Sequence, residues 1–341
     1  MRKMYRLNHK SSEVIYGEIP KFSYSLNLYI VDKNVFELHQ TFFNEINSND
    51  IYFFDASEGN KSFFEVQKII EWLKNKNFNR SGTMWGIGGG ITLDITGFVA
   101  SIFMRGCKLN FIPTTLLAMV DAALGGKTAV NLSNIKNMIG TFYPAEKIYI
   151  EPNFLTTLSS TELKEGWSEI IKISLIQESN LYEEILQSNL KVSDDIIQKA
   201  ISLKMEICER DPEDRAERNL LNLGHTFAHI IESISQFEIS HGNAVAIGIE
   251  SAALLSLRSR WISKEVFEKI MFPWRKFKLI RKKKLINYMK NFDENLIYKD
   301  KKMSQQINLI LFNGFQSTFK TNFKKNHLIK EILLDITKNE V

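Results

Sequence analysis

TMWGIGGGITLDITGFVASIFM, residues 83–104, decides how the first half of this chain folds. It begins with a short apolar run, passes through Gly86, Gly88, Gly89 and Gly90, and continues with apolar residues three and four apart. That is the pattern of a strand turning tightly into a helix. With no side chains in the way, the amides of such a turn approach a diphosphate at the helix N-terminus, where unpaired N–H groups favour negative charge. The glycine spacing is not the usual dinucleotide fingerprint, and a plain strand-to-helix turn stands as the competing reading.

Outward from this stretch the same alternation repeats. LNLYIV (26–31), IYFF (51–54), LNFI (109–112) and IYI (148–150) are short and rich in branched or aromatic side chains, as strands require. KSFFEVQKIIEWLKNK (61–76) carries helical spacing between two of them. Strands alternating with helices predict a parallel, doubly wound, Rossmann-like α/β domain. Asp32 and Asn34 follow the first strand, and Glu58 and Lys61 follow the second. The ends of strands in an open α/β sheet are where ligands are met.

The character changes after Pro152. Ser159 stands three residues before Glu162, a capping-box spacing, and opens the helical run 159–176. LYEEILQ (181–187), residues 194–209, LLNLGHTFAHIIESI (220–234) and residues 242–260 all read as helices, with INLILF (307–312) as a short strand near the end. The predicted organisation is an α/β domain over residues 1–155 and a mainly α-helical domain over residues 156–341. A length of 341 residues and a hydrophobic fraction of 44% are ample for two cores.

Composition excludes several classes. Two cysteines, Cys107 and Cys208, cannot build a secreted disulfide framework and suit a reducing compartment. No run approaches the roughly 18 apolar residues of a membrane span, and no apolar core follows the basic N-terminus. A cytoplasmic protein with no membrane partner is predicted. The net charge of +5 is modest, and its densest basic stretch, RKFKLIRKKK (275–284), has only Phe277 within it and Trp274 beside it as stacking aromatics. It reads as a solvated helix face with no nucleic-acid partner.

Two further clusters carry chemistry. The run 113–143 places Asp121, Lys127, Asn131, Lys136 and Asn137 among small residues beside Gly125 and Gly126. Point charges and close backbone approach of this kind bind phosphate or carboxylate; a glycine-rich surface loop with solvated lysines is the alternative. The second cluster is His225 and His229, four apart on a predicted helix, with His241 beyond it and Glu169 on an earlier helix. Two imidazoles on one helical face and a carboxylate from elsewhere make a divalent-metal site with open positions, and a pair of satisfied core histidines is the competing reading. Lys172 shares the face of Glu169, and Lys204, Arg218 and Asn222 add donors in the same half.

Together these pieces resemble the dehydroquinate synthase family of sugar phosphate cyclases. The matching segments are GGGITLDITGFVAS, the MRG around Arg105, IPTTLLAMVDAALGGKTAVN, IKNMIGTFY, SEIIK, RNLLNLGHTFAHIIE and HGNAVAIG, spread over residues 27–250. The resemblance implies a dehydroquinate synthase-like fold, NAD and zinc or cobalt as cofactors, and a homodimer across which Arg105 reaches. It implies Glu169, His225 and His241 as metal ligands, with His229 meeting the substrate phosphate or moving a proton. NAD residues would be Asp32, Asn34, Glu58, Lys61, Gly89, Gly90, Asp94, Thr114, Thr115 and Lys136. Substrate contacts would come from Arg105, Asp121, Lys127, Asn137, Lys172, Lys204, Arg218, Asn222 and His229, with a lysine of the triplet Asp300, Lys301 and Lys302 near the phosphate.

The activity implied is conversion of 3-deoxy-D-arabino-heptulosonate 7-phosphate, a sugar acid phosphate, to 3-dehydroquinate and phosphate, within the shikimate route. The sequence departs from the family pattern at Leu93 and Ala216, in place of glycines, at Pro212 and Asp214, in place of glutamates, and at Asn243. Cyclases for sedoheptulose 7-phosphate, glucose 6-phosphate or an amino analogue are therefore an alternative. A metal-dependent polyol dehydrogenase and a paralogue without turnover are further ones.

Overall fold

The computed structural model describes residues 1–22, 26–132, 135–236, 238–289, 307–323 and 327–338. Met1–Leu163 and Ile201–Glu213 form one compact unit, and Lys164–Ala200 and Asp214–Val341 form another.

The strands of the first unit are β1 (Arg2–Leu7), β2 (Lys10–Tyr16), β3 (Asn27–Asp32), β4 (Ile51–Phe54), β5 (Thr83–Gly88), β6 (Lys108–Pro113), β7 (Lys127–Leu132), β8 (Ile135–Phe142) and β9 (Lys147–Ile150). Seven of them make one sheet in the order β1-β2-β9-β6-β5-β3-β4. Every neighbouring pair is parallel except the hairpin β1–β2 at the edge. β3 and β5 are buried along nearly their whole length, as strands covered on both faces must be, which is why they read as unbroken apolar runs. The five expected strands are β3, β4, β5, β6 and β9.

Two hairpins were not expected. β1 keeps Arg2, Lys3 and Arg6 exposed on the sheet edge, where charge discourages pairing with other chains, so its apolar signal is thin. β7 and β8 form a separate antiparallel pair within the glycine-flanked run 113–143. That run is therefore not a surface loop. Its middle makes a single π turn at Ala118–Ala122, and the hairpin then seats on a helix.

The helices of this unit are α1 (Lys33–Leu38), α2 (Phe63–Asn75) and α3 (Gly90–Ile102). α3 is buried on most sides, as a helix enclosed by its neighbours should be, and the departing residue Leu93 is buried within it. At Gly97 a Cβ would lie 2.5 Å from the Thr128 methyl, so glycine there lets β7 rest directly on α3.

α4 (Ser160–Ile176) starts with the capping box read from the sequence: Ser159 N–H donates to Glu162 Oε2 at 2.8 Å and Glu162 N–H to Ser159 Oγ at 3.2 Å. α5 (Leu181–Ser188) and α6 (Asp194–Arg210) follow, the last ten residues of α6 counting with the first unit. The second unit continues with α7 (His225–Ile234), α8 (His241–Arg258), α9 (Lys264–Lys276), α10 (Lys283–Met289), the antiparallel hairpin β10 (Ile307–Gly314) and β11 (Ser317–Phe323), and α11 (His327–Lys338). α8 runs through its core, and the Phe312 N–H of β10 donates to Ser256 Oγ on α8 at 3.0 Å. The single helix expected over 220–234 is broken: residues Glu217–Asn222 make a 3-10 turn and Gly224, at φ +77°, swings the chain into α7. Among the described residues no helix is long and apolar enough to cross a membrane.

Candidate active site

The residues implicated by the sequence divide between the two units. In the second, three helices bring Glu169, His225 and His241 together, with one ligand atom from each lying within 4.8 Å of the others. Two glycines make this convergence possible. A Cβ at Gly242 would lie 2.5 Å from Glu165 Cα, so α8 meets α4 backbone to backbone. A Cβ at Gly248 would lie 2.2 Å from Gly224 O, which gives α8 the same intimacy with the start of α7. His225 and His241 are the first residues of their helices and so sit beside these two contacts.

Both rings turn Nε2 toward the same carboxylate oxygen. His241 Nε2 stands 3.4 Å and His225 Nε2 3.8 Å from Glu169 Oε1. The outer nitrogens are anchored: His225 Nδ1 lies 3.2 Å from Leu223 O, and His241 Nδ1 lies 3.3 Å from Glu232 Oε1. Such partners hold a ring in the tautomer that leaves Nε2 free to bind a cation. Glu169 is 2% exposed, is ion-paired with Lys172, and neither of its oxygens completes a hydrogen bond. A divalent ion held at about 2.1 Å by a tetrahedral set separates its ligand atoms by about 3.4 Å, so these residues fit one.

Electrostatics at Glu169 and His225 agree with that chemistry, whereas His241 gives up a proton when it binds a cation. Burial alone would raise the Glu169 carboxyl, but Lys172, His241 and His225 outweigh it and hold the group well below the usual range. Burial and the neighbouring Lys172 charge push His225 down to about 3. Burial also works against a charged His241, but Glu169 and Glu232 overcome it and raise that ring to about 10.

His229 is not part of the triad. Its ring stands nearly perpendicular to that of His225, with centroids 5.8 Å apart. Arg218 is 2% exposed and Asn222 exposed, both on the 3-10 turn before α7. The departing residue Asp214 takes a left-handed backbone, φ +57°, and accepts from Asn219 Nδ2 through its carbonyl at 2.8 Å and its carboxylate at 3.0 Å. Asn243, the other polar departure, exchanges two 2.9 Å hydrogen bonds with the Arg281 backbone. Asp300, Lys301 and Lys302 lie outside the described residues.

Glu232 was missed in the sequence. It lies three residues after His229 and seven after His225, spacings that put all three on one helical face.

In the first unit the glycine turn has the form expected of a cradle. Gly89 precedes α3 with no side chain capping the helix, so the first-turn amides face outward. A Cβ at Gly89 or Gly90 would crowd Thr115 at 3.3 Å or Ala122 at 3.2 Å, and the buried Thr114 Oγ1 lacks a hydrogen-bond partner. These features fit a diphosphate-bearing cofactor. Asp32 caps α1 by accepting from Asn34 N–H at 2.9 Å, and burial raises its carboxyl against that pull. Buried Lys61 donates to Asp94 Oδ2 and to Asn137 Oδ1, each at 2.5 Å, and Lys136 stands 3.4 Å from Glu58. Lys204 pairs with the Asp121 carboxylate and donates to its carbonyl at 2.7 Å. Lys127 is exposed at the start of β7. Arg105 is exposed on the 3-10 turn Phe103–Arg105 that follows α3, with φ +67°.

Comparison with known proteins gives this arrangement its lineage. Residues 51–165 match the 3-dehydroquinate synthase N-terminal family and residues 166–303 the 3-dehydroquinate synthase C-terminal family. The chain belongs to the 3-dehydroquinate synthase family. Relatives include the 3-dehydroquinate synthases of Helicobacter pylori, 33% identical over 97% of this chain and 96% of that one, and of Pelagibacter ubique, 35% identical over 85% and 83%. The fold of the family recurs in a 2-deoxy-scyllo-inosose synthase complexed with carbaglucose-6-phosphate, NAD+ and Co2+, with a TM-score of 0.84 at 23% identity over 98% of this chain and 99% of that one. It is more distant in a probable glycerol dehydrogenase from Sinorhizobium meliloti, with a TM-score of 0.57 at 12% identity over 92% and 90%.

Proposed function

We propose that this member of the 3-dehydroquinate synthase family converts 3-deoxy-D-arabino-heptulosonate 7-phosphate to 3-dehydroquinate and phosphate, using NAD and a zinc or cobalt ion. The observation that carries this is the buried Glu169 set between the Nε2 atoms of His225 and His241, in a chain alike to 3-dehydroquinate synthases over nearly its whole length. When bound, NAD supplies a reversible hydride acceptor, and the ion, held by Glu169, His225 and His241, supplies Lewis acidity to a substrate hydroxyl.

The side chains of this protein then do the rest. Lys127, Asn137, His229 and Arg105 hold the substrate phosphate so that, once the neighbouring alcohol is a ketone, a phosphate oxygen takes the acidified carbon-bound proton and phosphate leaves by elimination. Arg218 and Asn222, with Lys127, meet the substrate carboxylate, for which a guanidinium and an ammonium are suited donors, and Lys204 is a further substrate contact. Asp121 keeps the Lys204 ammonium in place. Lys172, ion-paired with Glu169, is a further substrate contact. The hydride that NAD accepts would return, so no net redox occurs, and the substrate ring then opens and closes by an aldol step. Asp32, Asn34, Glu58, Lys61, Asp94, Thr114, Thr115 and Lys136 orient the dinucleotide, whose diphosphate meets Gly89 and Gly90. Arg105, which is exposed, is read as reaching the site of a second copy, in an active form that is a homodimer. Two buried free thiols suit the cytoplasm.

The deciding assay follows phosphate release from 3-deoxy-D-arabino-heptulosonate 7-phosphate with NAD and zinc or cobalt, while NADH absorbance is read in the same cuvette. Phosphate without accumulating NADH is the expected result. Silence with this substrate and turnover of sedoheptulose 7-phosphate or glucose 6-phosphate would favour another cyclase, a reading that Asp214, engaged by Asn219, keeps in play. Accumulating NADH would mark a dehydrogenase.

A further inference from the structure

Asn131 has no part in the chemistry above, yet its side chain and backbone make four hydrogen bonds from the β7–β8 hairpin. The strands pair regularly as far as Val130 opposite Ile139 and resume at Leu132 opposite Ile135, so Asn131 falls at a break in register. Its side chain replaces the missing pairing. Asn131 Oδ1 accepts from the Asn137 N–H at 3.0 Å, and Nδ2 donates to Glu58 Oε1 at 2.8 Å and to Glu58 O at 3.2 Å. Its backbone N–H donates to Lys61 O at 2.8 Å, and it bridges Ser62. One side chain thus ties the loop 58–62 to Asn137.

The far side of Asn137 is tied to the same loop. Its Oδ1 accepts from Lys61 Nζ, which also holds Asp94 on α3. With the amide oxygen committed to an ammonium, the amide cannot flip without setting its own N–H groups against a positive charge. Asn137 therefore presents donors, the groups a phosphate requires, and it does so from a left-handed backbone, φ +51°, that its own N–H bond to Asn131 steadies.

We propose that Asn131 is a positioning residue that couples the two ligands of this unit: binding of the dinucleotide at Glu58, Lys61 and Asp94 fixes Asn137 in the orientation that takes the phosphate. This rests on the functional reading above for the ligands assigned to those residues. By linkage the coupling is reciprocal, and phosphate tightens the dinucleotide by the same factor.

The test is calorimetric titration of the full chain with NAD in the absence and presence of saturating inorganic phosphate. In the native chain phosphate tightens NAD at least about fivefold, the lower end of ordinary coupling. In Asn131→Ala that factor falls to within about twofold of one. Asn131→Asp keeps the acceptor for the Asn137 N–H but sets a carboxylate against Glu58, so it loses the coupling too, and thermal unfolding near the native midpoint shows that the variant is folded. In steady state the KM for the sugar acid phosphate rises about tenfold in Asn131→Ala with a smaller change in kcat, and combining it with Asn137→Ala gives no further rise. Native coupling surviving in a folded Asn131→Asp, or additive effects in the double variant, would overturn the proposal. The outcomes separate from those of the functional reading. Native phosphate release with coupling unchanged in both variants defeats only the inference, and coupling lost as stated in a chain that turns over no sugar phosphate defeats only the reading.

Discussion

Glu169→Gln keeps the volume of the side chain and removes a negative charge shared by His225, His241 and Lys172. Zinc in four-ligand sites binds with about 10–16 kcal/mol, about 3 kcal/mol for each ligand, so losing one ligand lowers metal affinity by about two orders of magnitude. The metal-free protein is weakened as well. Lys172 and Glu169 are each 2% exposed, and removing one partner of a buried ion pair costs about 3–5 kcal/mol, because the remaining charge is left in a medium that cannot solvate it. The assay is a chelator-competition titration with zinc at fixed pH, paired with thermal unfolding of the metal-free protein. Loss of affinity near 100-fold together with a lowered unfolding midpoint is expected. Native affinity in Glu169→Gln would refute the ligand assignment, and an unchanged midpoint would refute the buried pair.

Three other perturbations probe the remaining parts. His229→Ala leaves metal content at the native level by atomic emission and slows turnover by at least about 100-fold, the low end of a general acid–base contribution; metal loss in this variant would return His229 to the ligand set. Lys127→Ala abolishes phosphate release and leaves NAD affinity within about twofold in a fluorescence titration, whereas parallel loss of both would place Lys127 at the cofactor. Gly248→Ala drives a methyl into Gly224 O, 2.2 Å away, and costs about 1–3 kcal/mol as overpacking does. Since that contact joins the helices carrying His225 and His241, zinc affinity falls when the methyl forces them apart, and a native unfolding midpoint would contradict the close approach.

The α/β half was legible because its central strands are covered on both faces and so appear as unbroken apolar runs, as in β3 and β5. β1–β2 and β7–β8 escaped notice for opposite reasons: the first wears its charges on an exposed edge, and the second mixes polar residues with glycines and holds its register through side chains such as Asn131. At the metal triad, spacing alone favours His225 with His229, one turn apart on a helix. The family resemblance favours His241, and the structure gathers His225 and His241 because Gly224 breaks the helix and Gly248 lets α8 lie against the break. No local pattern encodes that meeting. Glu232 was hidden likewise, since its partner, His241, begins a different helix.

The division of α6 has a consequence for how the chain is made. The first unit is incomplete at residue 163, because Ile201–Glu213, with Lys204 among them, belongs to it. On a ribosome adding about 5–20 residues each second, that last piece emerges about 3–10 s later. During this interval the nascent sheet waits for its missing strip while the start of the second unit is already being threaded out, so the Lys204–Asp121 pair is among the last contacts of the first unit to form.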